Sequence, residues 1–165
     1  MEPPKQKIVS GFGLFKSAKA FVANPKNLKD LEECLDYAKQ KKFKIAIQGG
    51  GNSYSDVFFN NQLVIDTKHL NSIKSFDSEN GIITVEPGLR IGDLLGVIMP
   101  HNWVLVGLSG SIDDVVGGML STNTHGKDTW KNGNFSQNII SFKIMFANGT
   151  TKEIKKDNGS DLFNS

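Results

Sequence analysis

The chain has 165 residues, 38% of them apolar and 22% charged, and a formal net charge of +2. This is the balance of one globular domain, or of part of a larger one, and its scattered lysines form no basic stripe for nucleic acid. No apolar run approaches the 18 residues of a membrane span, and residues 1–11 lack a signal-peptide core, so a cytoplasmic protein is expected, with peripheral membrane association left open.

Residues 24–42 read as a helix, with Asn27 as N-cap and Asp30 at the capping-box position. Leu28, Leu31, Leu35 and Ala38 recur at helical spacing, and Lys39, Lys41, Lys42 and Lys44 crowd a solvated C-terminal end. Cys34 falls on the apolar face and reads as core; alone, it makes no intrachain disulfide and fits a reducing compartment. Strands are predicted at 44–48, 63–66, 73–76 and 82–85, the last two joined by a turn through Gly81. A short helix follows at 91–99, stopped by Pro100, and then an extended stretch at 103–106. Asp113 or Asp114 can cap a helix through Val115, Val116, Met119 and Leu120. Residues 139–146 and 150–154 read as strands around an Asn148-Gly149 turn, and 161–165 bring no closing element.

The stretch 44–56, KIAIQGGGNSYSD, carries the most chemistry. A short apolar strand runs into Gly49, Gly50 and Gly51. Glycines add no packing surface and lose the most entropy on ordering, so their use here points to backbone exposed to a ligand. Successive N–H groups in such a turn make a nest for an anion, typically phosphate. The competing reading is a mobile surface turn. A second glycine-rich segment counts against it: Ser109-Gly110-Ser111 leads to Gly117-Gly118 and on to Thr124-His125-Gly126-Lys127. Together the two loops suit one extended, phosphate-bearing cofactor. No Cys/His spacing fits a metal site.

The segments GGGNSYSD at 49–56, LVIDTKHLN at 63–71, ITVEPGLRIGDLL at 83–95, SGSIDDVVGGMLSTNTHGK at 109–127 and FSQNIISFKIMFANG at 135–149 stand together in this order. In this the chain, over about residues 15–163, resembles the FAD-binding domain of the vanillyl-alcohol oxidase and p-cresol methylhydroxylase superfamily. Within it, the branch of decaprenylphosphoryl-ribose oxidase and the sugar and aldonolactone oxidases is the most similar.

The resemblance implies an α+β FAD-binding domain of two subdomains, about 15–100 and 101–163, C-terminally incomplete and without a substrate cap. It implies pyrophosphate contacts from Ile47, Gly49, Gly50, Gly51, Asn52, Ser53 and Tyr54, with Gly110, Val115, Gly117, Gly118, Thr122 and His125 lining the other side. A helix N-terminus near 113–115 would add free N–H groups. Many relatives attach FAD through a histidine that Asn52 replaces here, which implies non-covalent FAD.

The implied activity is an FAD-dependent oxidoreductase that oxidises a carbinol carbon of a polyol, sugar, sugar lactone or lipid-linked sugar, with no catalytic base assignable. Two alternatives stay open: a non-catalytic FAD- or nucleotide-binding module working with a partner chain, and an NAD(P)H-dependent reductase of the enolpyruvyl-sugar type. The chain alone is expected to be inactive, to bind FAD weakly, and to self-associate through strand surface at 139–146. His125 is weighed as a flavin or substrate partner, Lys127 as a counter-charge or a solvated lysine, and Tyr54 as a gate or a structural tyrosine. His69 and His101 read as structural or surface residues, Asp66 as a turn residue, and Trp103 and Trp130 as apolar anchors.

Overall fold

The computed structural model of the chain describes residues 1–156. The expectation for 161–165 lies outside the described residues. The chain opens with an antiparallel hairpin of β1 (Lys5–Ser10) and β2 (Ser17–Ala23). Sequence reasoning misses both strands; β1 is an edge strand that buries only Val9, and its Lys5, Gln6, Lys7 and Ile8 are all exposed.

Helix α1 (Leu28–Lys41) begins right after the expected N-cap, where the Asn27 side chain accepts the Asp30 N–H at 2.9 Å, so residues 24–26 lie outside it. The reciprocal arm closes one residue early: Asp30 takes the N–H of Lys26 rather than that of Asn27. Lys42, in the left-handed conformation with φ 56°, ends the helix, and its N–H bonds the Ala38 and Lys39 carbonyls. Leu28 stays exposed, while Cys34 and Ala38 are buried.

β3 (Ile45–Gln48) and β4 (Leu63–Asp66) complete a four-stranded sheet of order β1-β2-β4-β3. β4 runs parallel to both neighbours, with Ala46 opposite Val64. Its Leu63, Val64 and Ile65 are fully buried and alternate as a strand dictates. Leu63 and Ile65 face α1 through Cys34 and Ala38, and Val64 faces Val9, Ala20, Val22, Phe58 and Phe59. The parallel β2–α1–β3 connection places the C-terminal ends of β3 and β4 at one edge, and the glycine turn leaves from there.

The rest of the chain builds its own core. β5 (Ile73–Asp77) and β6 (Ile82–Val85) form a hairpin; α2 (Ile91–Ile98) packs Leu94 and Ile98 against Ile73, Phe76, Ile83, Val85 and Leu105. Pro100 does not stop the chain's coiling: a 3-10 turn carries it to His101, and Asn102 with φ 63° ends it. The 103–106 segment is no strand. Trp103 instead caps the hairpin, its indole N–H on the Ser78 carbonyl at 2.8 Å and its ring over Gly81.

α3 (Val116–Ser121) and α4 (Thr129–Asn132) follow, then the hairpin of β7 (Ser141–Met145) and β8 (Thr151–Lys155). Ile91, Met119 and Phe135 join in a further cluster. The clusters of the first half draw on residues up to 65 and those of the second on residues from 73, while α2 packs across position 100 with residues from both sides of it. Among the described residues no helix is long and apolar enough to cross a membrane.

Candidate functional site

The two glycine segments meet. A Cβ on Gly49 would stand 2.7 Å from Val115 Cγ2, and one on Gly50 would stand 2.9 Å from the Asp113 carbonyl oxygen. Real Cβ atoms do not approach so closely, so the turn lies against residues 113–118 only because these positions are glycine. This corrects the expectation that the glycines serve no packing purpose. Gly51 adds a conformational need, at φ 76°.

The turn also keeps its donors free. Among the described residues, no backbone N–H from Gly50 to Ser55 donates a hydrogen bond, and neither does that of Gly110 or Gly118. A run of unused N–H groups on a surface stripped of side chains is what a phosphate-bearing cofactor requires. The chain therefore fits FAD's pyrophosphate at this turn.

The second loop differs from its expected form. Neither Asp113 nor Asp114 caps α3; its N-cap is the buried Val115, with no side-chain hydrogen bond. Two of the N–H groups expected to be free are taken, Val116 by the Leu89 carbonyl at 3.0 Å and Gly117 by the Pro87 carbonyl at 2.8 Å. Gly117 packs on Pro87, where a Cβ would come within 2.7 Å of the ring's Cβ. At Gly118 a Cβ would meet only Val115 Cγ2, at 3.5 Å, and at Gly110 it would meet nothing within 4 Å.

The acids of this loop are used elsewhere. Asp113 pairs with Arg90. Asp114 accepts the Asn52 side-chain N–H at 2.7 Å and, on its other oxygen, the Ser109 hydroxyl. Sequence reasoning missed Asp114 and Ser109 as site residues. The signal was present in an acid placed within a loop meant for an anion, and helix capping was the wrong explanation for it.

Ser109 and Gly110 also line a cleft of ≈ 520 Å³ with Leu108, His125, Gly126, Lys127 and Asp128. Gly126 lies so close to the Leu108 carbonyl that a Cβ there would stand 2.2 Å from its oxygen. The Asn132 side chain, with the Gly107 N–H, holds the Asp128 carboxyl below its ordinary range, so it stays ionised beside Lys127. Gly110 and His125 thus share this cleft, while Gly49 and Gly50 lie against Val115, Gly118 and Asp113.

Other expected residues lie at its margins. Ile47 is exposed at the end of β3. Ser53 takes the Phe12 N–H on its carbonyl at 3.0 Å, and Tyr54, 72% exposed, meets Phe12 edge-on at 5.5 Å. The β1–β2 hairpin loop therefore buttresses the turn, a contact invisible in sequence. Thr122 ends α3 with its hydroxyl on the Gly118 carbonyl at 3.0 Å.

Residues weighed individually resolve as follows. Asp66, buried at the end of β4, caps the next turn through the Lys68 N–H at 3.1 Å. Burial pushes the Cys34 thiol up to about 11, which suits a core residue and not a nucleophile. His101 lies edge-on to Phe76 at 5.2 Å. Trp130 is 85% exposed and anchors nothing. No group of three or more His, Cys, Asp or Glu is placed to hold a metal among the described residues.

A mixed sheet covered by one helix, with a glycine turn at its C-terminal edge pressed against a second glycine loop, is an α+β fold of the p-cresol methylhydroxylase type. The chain belongs to the FAD binding domain family, whose model matches residues 19–155. It is 29% identical to L-gulonolactone oxidase of Mus musculus over 84% of this chain and 31% of that one. It is 34% identical to decaprenylphosphoryl-beta-D-ribose oxidase of Mycolicibacterium smegmatis over 72% of this chain and 26% of that one. The fold matches xylooligosaccharide oxidase of Myceliophthora thermophila with a TM-score of 0.83, at 22% identity over 94% of this chain and 33% of that one. The chain thus spans about a third or less of the relatives it matches.

Proposed function

We propose that this chain is the flavin-binding part of an FAD-dependent oxidoreductase that oxidises a carbinol carbon of a polyol, sugar, sugar lactone or lipid-linked sugar. The observation that carries this is the close meeting of the two glycine segments around unused backbone donors. Substrate class follows from the relatives, two of which are named for a sugar lactone and a lipid-linked ribose. Bound here, FAD would supply the acceptor for the hydride of the carbinol C–H bond, while the hydroxyl proton would go to a base and a carbonyl would remain.

The chain's own residues bind and orient. The N–H groups from Gly50 to Ser53 take the pyrophosphate oxygens. Gly110 and Gly118 leave room for the cofactor where a side chain would intrude. His125 and Lys127, in the cleft, supply a hydrogen-bond partner and a cation for the flavin or a substrate phosphate. FAD would lie between the subdomains at about 15–100 and 101–163, against the two glycine loops that meet there.

FAD is held without a covalent bond, because Asn52 offers an amide where a nucleophile is needed and that amide is engaged by Asp114. Acid precipitation of the complete gene product is expected to release all flavin into the supernatant. Flavin that stays with the denatured polypeptide would contradict non-covalent binding, and a protein that carries and binds none would contradict the cofactor reading. Rapid flavin reduction by NADPH, with no turnover of any polyol, would favour a reductase instead.

A further inference from the structure

We propose that Asn52 and Asp114 form a clip that closes the first glycine turn onto the second loop and so pre-forms the pyrophosphate site, an inference that rests on the cofactor reading above. An aspartate in a loop facing an anionic ligand is adverse by its charge alone. Asp113 is offset by Arg90. Asp114 is half-buried, and both its oxygens are committed: one accepts the Asn52 Nδ2–H at 2.7 Å, the other the Ser109 hydroxyl.

Ser109 is itself fixed, since its Oγ accepts the Ser111 N–H at 3.2 Å. The chain Asn52–Asp114–Ser109 therefore runs from the first turn to the edge of the His125 cleft. No other hydrogen bond joins residues 49–53 to residues 109–118 among the described residues. The glycines permit the two loops to approach, and the clip holds them there. A turn held in place before the cofactor arrives spends less binding energy on its own ordering.

The test uses FAD titration of the apo form of the complete gene product, followed by flavin fluorescence, with circular dichroism to confirm folding. Loss of a charge-assisted hydrogen bond that organises a site weakens Kd on the order of 10-fold. Asp114→Ala and Asn52→Ala are each expected to weaken FAD by that factor, and the double variant by no more than either alone. Asp114→Asn, whose amide oxygen still accepts from Asn52, is expected to stay near wild type.

The sign is decisive. Charge repulsion alone would make Asp114→Ala bind FAD more tightly, whereas the clip makes it bind more weakly. If Asp114→Ala does not fold, Asn52→Ala carries the comparison with Asp114→Asn. Wild-type protein that binds FAD while the alanine variants bind equally well or better, or while their losses add in the double variant, overturns the clip and leaves the cofactor reading intact. Wild-type protein that binds no FAD overturns both.

Discussion

Gly49 and Gly50 answer to two demands at once, one from their own chain and one from a ligand. Sequence made the second legible and hid the first, because the atoms that approach them come from residues 113–115, far along the chain. Gly118 answers only to the second, since a methyl there meets no more than an ordinary contact. It stands in helix α3, where alanine is favoured over glycine by on the order of 0.5–1 kcal/mol. Gly118→Ala is therefore expected to fold with equal or higher thermal stability and to lose FAD affinity. Gly96→Ala, inside α2 with nothing within 4 Å of the added methyl, is expected to gain similar stability with FAD affinity unchanged. Melting curves and FAD titrations of the two variants check this. Undiminished affinity in Gly118→Ala would place that stretch outside the site.

The elements that sequence showed well are those with a strong local reason. β4 is a bare apolar run, and its bounds match. Asn27 marks α1, and Asn148-Gly149 marks the β7–β8 turn, with Gly149 at φ 86°. The elements that were missed or misjudged depend on distant partners. β1 is recruited by β2, and the start of α3 is set by carbonyls of residues 87 and 89.

Those carbonyls belong to the break after β6, which Glu86 secures. Against the cost of its own partial burial, Lys74 at 2.7 Å and the Ser72 N–H at 2.9 Å hold the Glu86 carboxyl below its ordinary value of 4.5. A carboxyl whose folded pKa lies below its unfolded one contributes stability that is complete above the unfolded value. That stability is lost as the pH falls through the folded value. Glu86→Gln is therefore expected to lower stability at pH 7 and to flatten the loss of stability below about pH 4.5, read by urea unfolding at a series of pH values. Parallel pH curves for the two proteins would show that the ion pair contributes nothing.

At the scale of the whole molecule, the cores draw on residues up to 65 and from 73, and each of these stretches contributes one of the two glycine loops that meet. Motif order in the sequence was enough to name the family, whereas the Asn52–Asp114 contact across the two loops was not, since neither residue signals the other. The central claim is that FAD lies against both loops through their free backbone donors. Hydrogen–deuterium exchange of the complete gene product, with and without FAD, tests it most directly. The account predicts that FAD slows exchange in residues 50–55 and at Gly110 and Gly118 together, because those N–H groups gain acceptors they lack in the chain itself. FAD that binds while exchange in both segments stays unchanged would contradict it.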